Sequence, residues 1–304
     1  MGHDVTSKYV SANGLQICYD AFGDPAHPAV LLIMGLGTQM IAWPEEFCQH
    51  LVAGGYRVIR FDNRDIGLSQ KLADEKVPNL LRMLLASGFG LPLRVPYTLH
   101  DMALDTVGLL DGLGIERAHI VGASMGGMIA QLVAGDHPQR TLSLTSMMST
   151  SGARSLPRAS RQVQRLMVRR AGSGEDEYLR FATRFWGVIG SPAFPPGKQE
   201  LRERLLASYR RSYYPQGFLR QFAAILASGD RVGLLRRVQR PTLVIHGSAD
   251  GLVPVEGGIH TAELVPGAQL AVIDGMGHDL PIVLLPRLAS LILEHISNPE
   301  QRAA

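Results

Sequence analysis

Short apolar runs alternate with amphipathic stretches along most of the chain, and this alternation predicts strands and helices in turn. The run Val30-Leu31-Leu32-Ile33 is wholly apolar, as is typical of a strand buried on both faces of a parallel sheet. A helix is predicted from about Pro44 to Gly54, with acids in its first turn and glycine at its end. A second buried strand follows at residues 57–61. Strand, helix and strand at this spacing predict a right-handed βαβ unit.

The same pattern continues on both sides of this unit. A hairpin is predicted before it, with strands at residues 5–10 and 15–19 joined by a turn at Asn13-Gly14. Thr98 and Asp101 form a capping box at the start of a helix. Residues 78–96 are irregular and are predicted to be a mobile flap. Further strands are predicted at the start of the stretch 118–131 and at residues 141–148, 242–246 and 269–273, and a last helix near residues 284–296.

The strand pattern disappears between residues 151 and 230. This segment is rich in arginine, has helical spacing at residues 161–170 and 199–209, and is interrupted at Pro192, Pro195 and Pro196. We interpret it as a helical cap inserted between two strands of the sheet. Residues 1–150 and 231–304 would then form one α/β core.

The charge of the chain is unevenly distributed. Residues 151–240 hold 18 Lys and Arg against 6 Asp and Glu, a net charge of +12, whereas the remainder has a net charge of −9. One interpretation is a set of helices with solvated arginine faces. The other is a positive potential over a site entrance, which would favour acidic substrates or an anionic surface. No nucleic-acid binding motif accompanies the charge, so a nucleic-acid partner is not expected.

Composition narrows the class of protein further. Hydrophobic residues make up 46% and charged residues 19% of the 304 residues, as in an ordinary globular protein. No apolar run is long enough to cross a bilayer, and residues 1–10 do not resemble a secretory signal. Cys18 and Cys48 are too few for a disulfide framework. We therefore expect a cytoplasmic protein with no membrane span, while the oligomeric state stays open.

One stretch, residues 118–131, carries the strongest chemical signal. It runs from an apolar strand through Gly122-Ala123-Ser124-Met125-Gly126 into a helix. A turn this tight lifts a serine hydroxyl clear of the sheet, where a distant base can reach it. Glycine is needed at residues 122 and 126 because the backbones before and after the serine pass close together. Ser124 is therefore the candidate nucleophile.

A base and its orienting acid should lie in loops at the carboxyl ends of other strands. Asp250 follows the predicted strand at residues 242–246, and His278 follows the strand at residues 269–273. The order Ser124, Asp250, His278 is the one found in serine hydrolases of this architecture. These three residues are predicted to form a catalytic triad.

Two backbone N–H groups are candidates for an oxyanion hole. Met125 would begin the helix with a free N–H aimed at developing negative charge. Leu36, flanked by Gly35 and Gly37 after the first buried strand, can turn its N–H inward with little steric cost. The alternative for this second loop is that its glycines serve only a tight turn.

Several other polar residues favour a structural role. Asp62, Arg64 and Asp65 could contact substrate, but a buried ion-pair cluster that fixes their loop is favoured. Asp279 is interpreted as a loop hydrogen-bonder rather than a rival acid. Among the histidines, His119 and His246 lie within strands and are interpreted as core or edge residues. No histidine or acid has metal-ligand spacing, so no metal and no cofactor are expected.

A group of methionines gathers around the predicted site. These residues usually fill a core, and a soft, adaptable pocket wall is the alternative. They are Met125, Met128, Met147, Met148 and Met276.

The candidate site motifs together resemble the α/β-hydrolase superfamily. The resemblance rests on the Ser124 turn, on Asp250 and on Gly275-Met276-Gly277-His278. Residues 43–47 and 61–69 are more narrowly similar to the branch of bacterial esterases that includes aclacinomycin methylesterase. The resemblance implies an eight-stranded, mostly parallel sheet flanked by helices, a helical cap, and Ser124, His278 and Asp250 as the triad. One departure is Met34-Gly35, where many relatives have His-Gly.

The predicted function is hydrolysis of a small-molecule carboxylic ester through an acyl-enzyme intermediate. A lactonase, a C–C bond hydrolase and a cofactor-free haloperoxidase or perhydrolase use the same triad and stay open. An aspartate-nucleophile dehalogenase or epoxide hydrolase is disfavoured because residue 124 is serine. A ligand receptor without catalysis is the alternative from a different class.

Overall fold

A computed structural model describes residues 8–89, 91–167 and 174–297. Within these ranges, eight strands form a single sheet in the order β1-β2-β4-β3-β5-β6-β7-β8. They are β1 (Lys8–Ala12), β2 (Leu15–Phe22), β3 (Ala29–Ile33), β4 (Arg57–Phe61), β5 (Ala118–Ala123), β6 (Thr141–Met147), β7 (Thr242–Gly247) and β8 (Gln269–Ile273). The eight-stranded sheet expected from the resemblance is confirmed.

Strand direction divides the sheet into two parts. β1 pairs antiparallel with β2, and β2 pairs antiparallel with β4, whereas every neighbour from β4 through β8 is parallel. The carboxyl ends of the parallel strands therefore meet at one edge, as the loops carrying Ser124, Asp250 and His278 require. Every residue of β3, β5 and β7 is buried, which explains the unbroken apolar runs in the sequence.

The predicted hairpin is formed by β1 and β2. Asn13 and Gly14 both have positive φ, at 49° and 76°, as a tight turn matched to strand twist requires. The predicted first strand began at residue 5, and residues 5–7 lie outside the described residues.

Helices cover both faces of the sheet. On one face pack α3 (Leu99–Gly112) and α4 (Met125–Asp136), through buried residues such as Leu109 and Ile129. On the other face pack α1 (Glu45–Ala53) and α11 (Leu285–Ser297), through Phe47 and Leu288. Burial of each such side chain contributes about 1.5–3 kcal/mol, so the two cores stabilise the sheet whose carboxyl edge carries the candidate site.

Local signals placed several helix boundaries correctly. The Thr98 side chain accepts from the Asp101 N–H, and the Asp101 carboxylate accepts from the Thr98 N–H at 2.7 Å, which is the predicted capping box of α3. Residues 78–96, predicted to be an irregular flap, contain the helix α2 (Leu80–Gly88). Met83 is buried on this helix, and its burial stabilises the helix despite the prolines and glycines nearby, which favour irregular chain.

Between β6 and β7 the described chain is helical, as predicted. The helices are α5 (Arg161–Met167), α6 (Glu175–Ile189), α7 (Lys198–Arg211), α8 (Pro215–Ser228) and α9 (Val232–Leu235). The three prolines separate α6 from α7, and residues 168–170 of the predicted helix at 161–170 lie outside the described residues. A further helix, α10 (Glu256–Leu264), follows β7 and was not predicted. No helix in the described ranges has the length and apolar character needed to span a membrane.

Candidate active site

The Ser124 turn has the strained geometry that its glycines suggest. Ser124 stands between β5 and α4 with φ 57° and ψ −120°, a region that a residue with a Cβ rarely adopts. A Cβ on Gly122 would lie 2.1 Å from the Gly126 carbonyl oxygen, and one on Gly126 would lie 2.1 Å from the Ile33 carbonyl oxygen. Both positions therefore need glycine, and the serine is held at the tip of a strand-to-helix turn.

Hydrogen bonds fix the backbone of this turn from both sides. The Ser124 N–H donates to the Met147 carbonyl at 2.9 Å, and the Ser149 hydroxyl donates to the Ser124 carbonyl at 2.8 Å. The loop after β3 lies directly against the serine, because a Cβ on Gly35 would be 3.5 Å from Ser124 Oγ. Ser124 itself is half-buried.

His278 and Asp250 form a buried hydrogen-bonded pair. His278 Nδ1 lies 2.6 Å from Asp250 Oδ2, and the two side chains are 7% and 0% exposed. The His278 N–H donates to the Ile189 carbonyl at 2.7 Å, so the end of α6 helps to place the histidine loop. The N–H groups of Leu252 and Val253 donate to Asp250 Oδ1 at 2.9 and 2.8 Å.

The environment of Asp250 favours its ionised form. Burial raises the pKa of Asp250, but the charge of His278 and the hydrogen bonds from His246, His278 and Val253 outweigh it and hold that pKa below its ordinary value. An ionised carboxylate accepts hydrogen bonds only. His278 therefore carries its proton on Nδ1 when neutral, which leaves the Nε2 lone pair available.

His246 lies closer to the candidate site than the sequence suggested. It is a buried strand residue, as predicted, and its Nε2 lies 2.8 Å from the Val253 carbonyl oxygen. The same nitrogen is 3.5 Å from Asp250 Oδ2. His246 thus stabilises the loop that carries Asp250. The four-residue spacing between the two residues was the sequence signal that could have indicated this contact.

The structure joins two of the three predicted triad residues directly. Within the described ranges no hydrogen bond links Ser124 Oγ to His278 or Asp250. The three residues share the carboxyl edge of the parallel strands, since Ser124 follows β5, Asp250 follows β7 and His278 follows β8. Contacts between a nucleophile and its base often tighten only in the complex with substrate.

The two predicted oxyanion donors flank Ser124. Met125 is the first residue of α4, where a helix has no internal acceptor for its N–H. Leu36 follows Gly35, which lies against the serine. Among the described residues no acceptor is recorded for either N–H group, whereas the next one, of Gly37, donates to Gln221 Oε1 at 2.9 Å.

The loop after β4 contains the predicted ion-pair cluster. Asp62 pairs with Arg211 at 2.7 Å, Asp65 with Arg220 at 2.8 Å, and Arg64 binds Asp105. All three loop side chains are buried, which supports the structural interpretation over substrate contact. Sequence reasoning missed both arginine partners, which come from α7 and α8.

Two other structural interpretations are supported. Asp279 Oδ1 accepts from the Ser191 N–H at 3.0 Å, so this acid holds the loop after α6. Burial raises the pKa of Asp279 despite these hydrogen bonds.

The five methionines near the site are at most 7% exposed and fill the core. In the described parts of the chain, no three histidine, cysteine or acidic side chains are grouped closely enough to hold a metal ion.

Comparison with known proteins identifies the family to which this chain is similar. Residues 28–283 match the family described as alpha/beta hydrolase fold. Rhodomycin D methylesterase of Streptomyces peucetius is 30% identical over 312 residues, covering 95% of this chain and 97% of the relative. This relative agrees with the resemblance to bacterial esterases seen in the sequence.

Two solved structures share the fold. An esterase from Rhodococcus sp. ECU1013 superposes with a TM-score of 0.75 at 22% identity, covering 96% of this chain and 99% of that one. A meta-cleavage product hydrolase from Pseudomonas fluorescens IP01 superposes with a TM-score of 0.74 at 20% identity, covering 95% and 97%. The eight-stranded sheet of this chain agrees with the family match at residues 28–283. The chain therefore belongs to the alpha/beta hydrolase family.

Proposed function

We propose that this protein is a serine esterase that hydrolyses carboxylic esters, with Ser124 as nucleophile, His278 as general base and Asp250 as the residue that orients the base. The observation that carries the proposal is the strained Ser124 turn on the same sheet edge as the buried His278–Asp250 pair. The similarity to rhodomycin D methylesterase makes methyl esters the first substrates to test.

In the proposed mechanism, Ser124 Oγ attacks the ester carbonyl carbon while His278 Nε2 takes the hydroxyl proton. The N–H groups of Met125 and Leu36 bind the oxyanion of the tetrahedral intermediate. The intermediate then collapses, the C–O bond to the alcohol breaks, and the imidazolium gives its proton to the leaving alcohol. Water, activated by His278, releases the acid and restores Ser124.

Asp250 stabilises the imidazolium form of His278 during both steps. Its carboxylate stays ionised because its pKa is held below the ordinary value, so a negative charge lies 2.6 Å from Nδ1 when the proton arrives on Nε2. The two backbone donors to Asp250 Oδ1 fix the carboxylate plane. We further propose that residues 151–230 form a cap over the core made by residues 1–150 and 231–304, and that this cap selects the substrate.

Substitution of the nucleophile tests the proposal. Ser124→Ala should lower turnover of methyl esters by more than about 10⁴-fold, while Ser290→Ala, at an exposed serine on α11, should leave it unchanged. Wild-type turnover by Ser124→Ala would overturn the mechanism. A substrate panel of esters, lactones and β-diketones separates esterase from lactonase and C–C bond hydrolase activity. Tight ligand binding with no turnover of any of them would indicate a receptor.

A further inference from the structure

One glutamine on α8 connects two loops that border the candidate site. Gln221 is fully buried, and its side-chain oxygen accepts from the Gly37 N–H at 2.9 Å. Its side-chain nitrogen donates to the Arg64 carbonyl at 2.8 Å. Gln221 is 184 residues from Gly37 along the chain. The oxygen and the nitrogen of this side-chain amide therefore each bind a backbone group. One of these groups, the Gly37 N–H, is adjacent to Leu36, whose N–H is the proposed oxyanion donor.

The Gly37 N–H belongs to the central peptide of a tight turn. The Thr38 N–H donates to the Gly35 carbonyl at 3.2 Å, which closes a four-residue turn, and Gly37 has φ 65°. A positive φ at the third position is the mark of a type II turn. In a type I turn the central peptide is rotated by about 180°, so its N–H would point away from Gln221.

The Leu36 N–H lies on the peptide that precedes the central one, so its direction depends on this turn staying closed and in place. That N–H shares a peptide plane with the Gly35 carbonyl, which the Thr38 N–H holds. The central peptide is held at both ends, because the Thr38 hydroxyl donates to the Leu36 carbonyl at 3.1 Å and Gln221 accepts from Gly37. Met34, which precedes the turn, has no polar side-chain group to share this task.

We propose that Gln221 is a positioning residue for ester hydrolysis: by fixing the central peptide it keeps the turn at residues 35–38 closed and in place, and so keeps the neighbouring Leu36 N–H aimed at the oxyanion. The inserted helices would then contribute to transition-state stabilisation as well as to substrate selection. A second contact points the same way, since Gln39 Nε2 donates to the Ser212 carbonyl at 2.9 Å at the end of α7. The inference rests on the proposed function of Ser124.

The test compares Gln221→Met and Gln221→Glu with wild type. Methionine keeps the volume and removes both hydrogen bonds, whereas glutamate keeps an acceptor for Gly37 and loses the donor to Arg64. Gln49→Met is the matched control, because Gln49 is exposed on α1, outside the proposed cap. For each variant, kcat and KM for a methyl ester are measured together with the inhibition constant of a trifluoromethyl ketone, which forms a tetrahedral oxyanion on serine.

Gln221→Met should lower kcat by roughly 10- to 100-fold, below the ~10²- to 10³-fold cost of deleting one oxyanion donor. KM should change by less than about threefold, since the lost interaction exists only in the transition state. Affinity for the trifluoromethyl ketone should fall in proportion to kcat/KM. Gln221→Glu should lie between methionine and wild type, and Gln49→Met should match wild type.

Wild-type kcat in Gln221→Met would overturn the inference, and so would a loss of kcat without any loss of ketone affinity. A thermal melt first establishes that each variant is folded. If Gln221→Met does not fold, Gln221→Leu, which also removes both hydrogen bonds, decides by the same two readouts. Failure of the underlying function is separately visible, because full activity in Ser124→Ala would overturn the nucleophile, whatever the glutamine variants do.

Discussion

The buried ion pair between Asp65 and Arg220 allows the sharpest prediction about stability. Both side chains are 0% exposed, and Arg220 donates to the two carboxylate oxygens at 2.8 and 3.0 Å. Arg220→Met removes the cation and leaves the carboxylate with hydrogen bonds from the Leu72 N–H and the Tyr97 hydroxyl. Removing one partner of a buried pair costs about 3–5 kcal/mol, because the other charge stays buried without compensation.

The assay is urea unfolding followed by fluorescence. With an m-value of about 3 kcal/mol/M for a chain of this size, the midpoint should fall by roughly 1–1.7 M. Arg210→Met is the matched control, since Arg210 pairs with Glu175 on the surface, where the side chains are 64% and 37% exposed. That exposed pair should contribute at most about 0.5 kcal/mol.

The pH dependence gives the same prediction a second readout. Burial raises the pKa of Asp65, but the hydrogen bond from Arg220 leads the contributions that lower it below its ordinary value. Without Arg220, burial dominates and the pKa of Asp65 rises. A protonated acid costs less to bury, so the stability gap between Arg220→Met and wild type should narrow as pH falls from 8 to 5.

A double variant separates the lost pair from lost packing. Asp65→Asn removes the stranded charge and tolerates the positive φ of 70° at this position. Combined with Arg220→Met, it should recover about half or more of the lost stability. A stabilising role for the buried pair is contradicted if Arg220→Met lowers the free energy of unfolding no more than Arg210→Met does, or if its effect grows as pH falls.

Three further predictions concern the turn, a buried histidine and the charged segment. Gly122→Ala should abolish ester turnover and lower the melting temperature, because its Cβ would lie 2.1 Å from the Gly126 carbonyl; Gly233→Ala, with open space around it, should do neither. Burial lowers the pKa of His295, so the unfolded chain binds more protons and the stability of the protein should fall below about pH 6.5. The unfolding midpoint of His295→Phe should fall less steeply with pH than that of wild type, and an equally steep fall would contradict this prediction. If the arginine-rich segment attracts substrate, kcat/KM for an acidic ester should exceed that for a neutral one at low salt only. If there is no such gain, the arginines of this segment form a solvated surface that does not attract substrate.

Features that depend on neighbouring residues could be predicted from the sequence. The Asn13-Gly14 turn, the Thr98 capping box and the glycines around Ser124 each involve residues no more than a few positions apart. The helix α2 was missed for a related reason. Its local signals favour irregular chain, and the burial of Met83 that stabilises it comes from tertiary contact.

Partners that are distant in sequence could not be predicted. Asp62 and Asp65 were correctly expected to be paired, yet any of the many arginines between residues 151 and 230 could have been the partner. The contact between Gln221 and Gly37 has no sequence signal at all, because glutamine on a helix is ordinarily solvated. Residue type indicates that a buried charge needs a counter-charge, and only the fold decides which one is within reach.

Covalent labelling shows directly whether Ser124 is the nucleophile. The folded protein is treated with a fluorophosphonate, and the intact mass and the modified peptide are measured alongside loss of ester turnover. We expect one adduct per chain, located on Ser124, which forms in step with inactivation and is absent from Ser124→Ala. An adduct on another residue, or undiminished ester turnover in a fully labelled protein, would contradict it.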